Sequence, residues 1–315
     1  MDKKRKTIDS SERFPIRIQS SNQLDQIIWN LSYLDSRILK LRNSTYNPID
    51  FPNFEQILDA PSILNLAEKY EPMSGWPLTL EEFGEKQRKL NEFDLQFSDK
   101  KFIDQSINTK NWLRFDTMLS IEYLKSLDFF KFLKFEDRSV LAKHVTVTIQ
   151  TMIFAYSSFQ NKPDCFKTPD GCCVDSETIS VILHSYMARK MCKHATFIEV
   201  HLKSIQKVMG FLIQEKLTEI EYMLLKSIAI CDPIFELSEE ARNIIWKNRQ
   251  KFSKILLEYC EITYGKRNGP SRFVKLLSYL NLIISHEKHM RIFIIFLGLS
   301  SKMRSLENVI FNVSS

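Results

Sequence analysis

Apolar side chains return at steps of three and four through the long segments of this chain, a period that only a helix gathers onto one side. Between Asn22 and Arg42 the stripe is Leu24, Ile27, Ile28, Leu31, Leu34, Ile38 and Leu41. From Asn111 to about Leu133 it is Trp112, Phe115, Leu119, Tyr123 and Leu127. A strand would need strict alternation instead. Glycine points the same way. With 7 in 315 residues, the chain is poor in the turns that dinucleotide-binding sheets and propellers require. The expected fold class is all-α, with about nine to twelve helices and at most one short β-hairpin.

Punctuation along the chain divides it into three parts. Residues 1–20 are polar and basic, without an apolar period, and are expected to form a flexible tail. The run Lys3, Lys4, Arg5 and Lys6 reads either as a nuclear import signal or as a solvated terminus. Residues 21–110 form a hinge-like N-terminal extension containing the first helices, in which Pro48, Pro52, Pro61, Pro72 and Pro77 break residues 43–80 into short helices and loops. Residues 111–315 form the core of the domain. Capping boxes are expected at Thr79 with Glu82 and at Thr218 with Glu221, and Ser238 should cap a helix running to about Tyr264. Another helix covers Phe135 to Phe159. Pro169-Asp170-Gly171 is the one hairpin turn, helical patterns run from Ser180 to Gly210, and Lys266 to Pro270 is a turn before a last helix from Arg272 to Phe296.

Composition excludes several function classes. The net charge of +6 is mild and spread along the chain, so no dense basic face for nucleic acid is expected. The cysteines stand at 165, 172, 173, 192, 231 and 260, without a C-x-x-C pair or zinc-ligand spacing. The longest apolar run, Ile292 to Leu299, is about half of the ~20 residues a membrane span needs. His184, His194 and His201 lack a third ligand at metal spacing. No H-E-x-x-H, nucleophile elbow, phosphate loop or paired-carboxylate pattern is present. A non-enzyme is expected, and no cofactor.

The most specific stretch is Tyr123 to Lys143, YLKSLDFFKFLKFEDRSVLAK. Its spaced Lys125, Phe130, Leu133, Asp137, Leu141 and Lys143 resemble the helix-three-to-helix-five signature of nuclear hormone receptor ligand-binding domains, in particular the divergent nematode-type branch. EYMLLKSIAICDP at 221–233, the helix after Leu237 and RFVKLLSYL from Arg272 are similar to later helices of that fold. The resemblance implies a three-layer helical sandwich, a nuclear (or also cytoplasmic) location and transcription regulation. The first 164 residues lack cysteine. The resemblance therefore extends to the ligand-binding domain without its zinc-finger DNA reader, and no direct DNA contact is expected.

The resemblance also assigns sites. Lys125 and Lys143 would flank a groove lined by Val140 and Leu141, where a coregulator's amphipathic helix lies with its C-terminal carbonyls on a lysine. Glu307 would supply the opposite clamp, although Asn308 interrupts the apolar run that follows it. Trp112, Phe115, Asp116, Leu119 and Ser157 would line a ligand pocket. Asp116 stands where steroid-type receptors carry an acid, and Ser157 where many carry an arginine. Without that arginine, a neutral lipid-like ligand is expected. Phe273, Leu276, Leu277 and Leu280 would face a homo- or heterodimer partner. The competing readings are a ligand-independent dimerisation partner or interaction module that modulates other receptors and, third, a helical enzyme.

Overall fold

The protein is described from a computed structural model, which covers residues 22–48, 52–76, 110, 112–160, 166–171, 173–174 and 195–300. The basic tail, the Thr79–Glu82 box, His184, His194, the beginning of the Ser180 segment and Glu307 lie outside these residues.

Helix α1 (Asn22–Asn43) follows its apolar stripe, with Asp25 in the first turn and Lys40 and Arg42 in the last, the favourable ends for the helix dipole. Its Leu24, Leu31, Ile38 and Leu41 are buried in the same core as the rest of the domain. The proline-broken stretch holds α2 (Phe54–Asp59), closed by a reciprocal capping box between Asn53 and Gln56, and a 3₁₀ turn (Ile63–Glu68) capped by Ser62.

Helix α3 (Trp112–Lys125) ends eight residues before the expected Leu133. Leu127 takes extended backbone, and a 3₁₀ turn (Asp128–Phe132) follows. The adjacent Phe129 and Phe130 are both buried. The break at Leu127 re-aims the chain, and the 3₁₀ turn that follows carries both rings into the core.

Helix α4 (Phe135–Gln160) is buried over most of its circumference, including polar Thr146, Thr148, Gln150 and Ser158. Helix α5 (Ala195–Glu215), helix α6 (Glu219–Ile230) and the long α7 (Glu239–Ser300) complete the helical set among the described residues. α4 packs on α3, α5, α6 and α7, and α6 packs on α1, α4 and α7. Helices covered all round form a middle layer. With α1 and α3 on one side and α5 and α7 on the other, the arrangement is a three-layer helical sandwich. The hairpin pairs β1 (Phe166–Lys167) antiparallel with β2 (Cys173–Val174), and Gly171 supplies the positive φ of the turn.

The expected turn at Lys266–Pro270 shrinks to one residue. α7 is interrupted at Gly265 (φ 82°, ψ 156°), and Pro270 lies within the following helical arm. Gly269 then closes the bend: a Cβ there would stand 2.6 Å from the Cα of Glu261.

Buried charges tie the layers. Glu221 of the Thr218–Glu221 capping box accepts from Arg272 Nε and Nη2, both at 2.7 Å, and from Tyr264 OH at 2.9 Å. Lys226 of α6 pairs with Asp35 of α1 in the interior. Between α5 and α7, burial lowers His201 to about 4 and His286 to about 3, so both rings are neutral at pH 7. Ser204 Oγ lies 2.7 Å from His286 Nδ1.

Candidate functional site

The signature stretch builds one corner of the molecule, where the C-terminus of α3 meets the first turns of α4. Asp137 has a structural task there. Its two carboxylate oxygens accept from the backbone N–H and the hydroxyl of Ser238, each at 2.8 Å, and Ser238 in turn caps α7. Leu141 is wholly buried, and Val140 is partly buried against the core.

Lys125 is the last residue of α3, yet its side chain is only 8% exposed. Its ammonium donates to the carbonyl of Ile57 at 2.6 Å and to Glu122 Oε1 at 2.8 Å. Glu122 Oε2 accepts from the backbone N–H of Ile63 at 3.0 Å. One lysine and one acid of α3 thereby hold residues on both sides of the link after α2. Lys143 is half-buried, with its ammonium 5.6 Å from the centre of the Phe54 ring. Lys125 and Lys143 therefore flank one face, and in this structure α2 covers it.

A second cluster gathers the expected pocket residues around a partner the sequence reading did not assign. Arg42, 1% exposed, forks onto Asp116 with Nε–Oδ1 at 2.8 Å and Nη2–Oδ2 at 2.9 Å. Its remaining Nη1 donates to Ser157 Oγ at 3.1 Å. The guanidinium also stands 5.3 Å from the Trp112 ring and 5.5 Å from the Phe154 ring. Lys110 donates to the carbonyl of Arg42 at 2.9 Å and sits 4.2 Å from the Phe115 ring; burial lowers its pKa to about 7. Trp112 Nε1 donates to Asp170 Oδ2 at 2.8 Å.

Asp116, Ser157, Trp112 and Phe115 are thus brought together, and Leu119 lies in the core beside them. The arginine of this cluster comes from the end of α1 and donates to Ser157. A cavity near Ser157, bounded by Asp35, Ile153, Tyr156 and Tyr222, measures about 20 Å³, room for roughly one water.

The proposed dimer stretch packs inward. Leu276 and Leu280 are buried, and Phe273 and Leu277 lean on the same core, because the stripe faces the nearest apolar layer. The large apolar residues left exposed there are Val274 and Ile284. Among the described residues, no cluster of His, Cys, Asp or Glu is placed to hold a metal, and no helix is long and apolar enough to cross a membrane.

Comparison with known proteins places this arrangement. The family model for the ligand-binding domain of nuclear hormone receptor matches residues 96–299. Among curated relatives of Caenorhabditis elegans, nuclear hormone receptor family member nhr-60 is 26% identical over 265 residues, 83% of this chain and 54% of the relative. Family member nhr-27 is 32% identical over 200 residues, 60% of this chain and 51% of the relative. The chain spans about half the length of the curated relatives it matches. The solved Ultraspiracle ligand binding domain from Drosophila melanogaster aligns with a TM-score of 0.49 at 17% identity, covering 65% of this chain and 79% of that one. With the family model matching well over half of its residues, this chain belongs to the nuclear hormone receptor ligand-binding domain family.

Proposed function

We propose that this chain is a receptor-like transcription regulator of the nucleus that acts by receiving a coregulator's amphipathic helix, without enzymatic turnover of its own. The observation that carries the reading is the placement of Lys125 and Lys143 at one corner of α3 and α4, with the Lys125 ammonium aimed at the last-turn carbonyl of an amphipathic helix. A helix's terminal carbonyls carry partial negative charge and lack intrahelical donors, so a buried ammonium there selects the C-terminal end of whatever helix lies on this face. Any ligand of the Asp116 cluster is neutral in this account, because the Arg42–Asp116 fork is already charge-balanced. A lipid-sized guest needs roughly 300 Å³ or more, so its entry would spread the helices around that fork.

The reading predicts activity in a fusion. Joined to a heterologous DNA-binding module, residues 1–315 should shift reporter transcription up or down relative to the module alone, and Lys125→Ala should reduce that shift about threefold, as expected from removing one helix-end charge. Reporter levels equal to those of the module alone would count against it.

A further inference from the structure

We infer that α2 is a built-in occupant of the face between Lys125 and Lys143, and that any coregulator helix received there must first displace it. The inference deepens, and rests on, the helix-receiving role proposed above.

The occupancy is read from α2 itself. Phe54, Ile57 and Leu58 stand at i, i+3 and i+4 and are buried, while Glu55, Gln56 and Asp59 face solvent. α2 packs against α3 and α4. Its end is read by chemistry that any helix could satisfy. The carbonyl of Ile57 would normally accept from the N–H four residues on, but that residue is Pro61, which has none. Lys125 fills the vacancy at 2.6 Å. Phe54, one turn earlier, lies beside Lys143. With ammonium groups at both places, Glu122 engaged by Lys125 and Ile63, and Asp137 engaged by Ser238, a partner helix with a neutral or acidic outer face suits the site.

The occupant is also built to leave. α2 has six residues, between Pro52 and Pro61, and six-residue helices do not persist alone in water. Its formation relies on the Asn53–Gln56 capping box, in which Gln56 N donates to Asn53 Oδ1 at 2.8 Å and Asn53 N to Gln56 Oε1 at 2.9 Å. Both residues are exposed, so the box stabilises α2 without contributing to the core. α2 holds its place through short tethers, one of them the Glu122–Ile63 bond, which keep its effective concentration high. A longer partner helix starts without that tether but brings more turns and its own caps.

The test uses the whole chain and a fluorescent peptide of residues 52–62, whose anisotropy reports binding in trans. The wild-type chain should bind weakly. Replacing the exposed box (Asn53→Ala with Gln56→Ala) should tighten binding about fivefold, as expected for loss of a cap. The stronger Ile57→Ser with Leu58→Ser variant should tighten it at least about tenfold. Adding Lys125→Ala to the box variant should weaken binding about tenfold, and a peptide carrying serine in place of Ile57 and Leu58 should not bind. Thermal unfolding of the box variant, altered only at the surface, keeps the test valid if the stronger variant does not fold. Equal affinity for wild-type and opened forms would overturn the occupancy of the face by α2. Absence of binding to every form would overturn the helix-receiving face itself.

Discussion

Replacing Asp35 with alanine should lower folding stability by about 3–5 kcal/mol, the loss expected when one partner of a buried ion pair is removed. Lys226 is 0% exposed and would be left without its carboxylate. Its other neighbours are Tyr222 OH at 3.2 Å and the Tyr123 ring at 4.0 Å from Nζ, which are polar but uncharged. Burial pushes the Asp35 carboxyl up and the Lys226 ammonium down, and each charge offsets the other. A volume-matched apolar pair should therefore be tolerated. Asp35→Leu with Lys226→Met should recover all but about 1 kcal/mol, since replacing both ions avoids the desolvation penalty. Urea denaturation of the three variants measures both effects. A cost below about 1 kcal/mol for Asp35→Ala, or a double variant no better than the single one, would show that the pair does not join α1 to α6 as described.

Arg42→Met should cost on the order of 3 kcal/mol, because it strands the buried carboxylate of Asp116 and opens the contact with Ser157. Arg42→Lys should recover only part of the loss. A lysine restores the charge but cannot make the two parallel bonds or keep a planar group against Trp112 and Phe154. Differential scanning calorimetry separates these outcomes. For a chain of this size each kcal/mol moves the melting temperature by about 1.5–2 °C, so the methionine variant should melt roughly 5–6 °C lower. A lysine variant as stable as the wild type would remove the fork from the account and leave only a charge.

Both clusters explain where the sequence was readable and where it was not. Helices whose signals are local were legible: the α1 stripe, the Thr218–Glu221 box and the Ser238 cap all stand where their residues place them. The three-layer arrangement was legible only through the resemblance carried by Tyr123 to Lys143. Pairings across long separations were not. Asp35 lies on the apolar side of α1, a turn from Leu31 and Ile38, and Lys226 interrupts the apolar run of α6. Each was a visible anomaly, but a separation of 191 positions hid the pairing. Arg42 ends the α1 stripe directly after buried Leu41, and nothing local names Asp116, 74 positions on, as its partner.

Lengths were legible only to a limit. α3 ends at Lys125, and the chain passes through extended Leu127 into a 3₁₀ turn that buries Phe129 and Phe130, a change of direction that the apolar period alone does not signal. α2 falls where the prolines call for short helices, but six residues between prolines carry too little periodicity to fix its bounds or the face it buries. The stripe of Phe273, Leu276, Leu277 and Leu280 keeps helical spacing, but spacing does not say which neighbour a stripe faces, and here it faces the core.

Transcription from the fusion reporter, read with the α2 capping box removed, tests the central claim most directly. The account predicts that Asn53→Ala with Gln56→Ala enlarges the reporter shift of the wild-type chain by about fivefold, matching the freed face. Adding Lys125→Ala should return it to the level of the DNA-binding module alone. The same reporter level for the wild type, the opened form and the Lys125 variant would contradict an account in which this receptor domain acts through a helix docked at that corner.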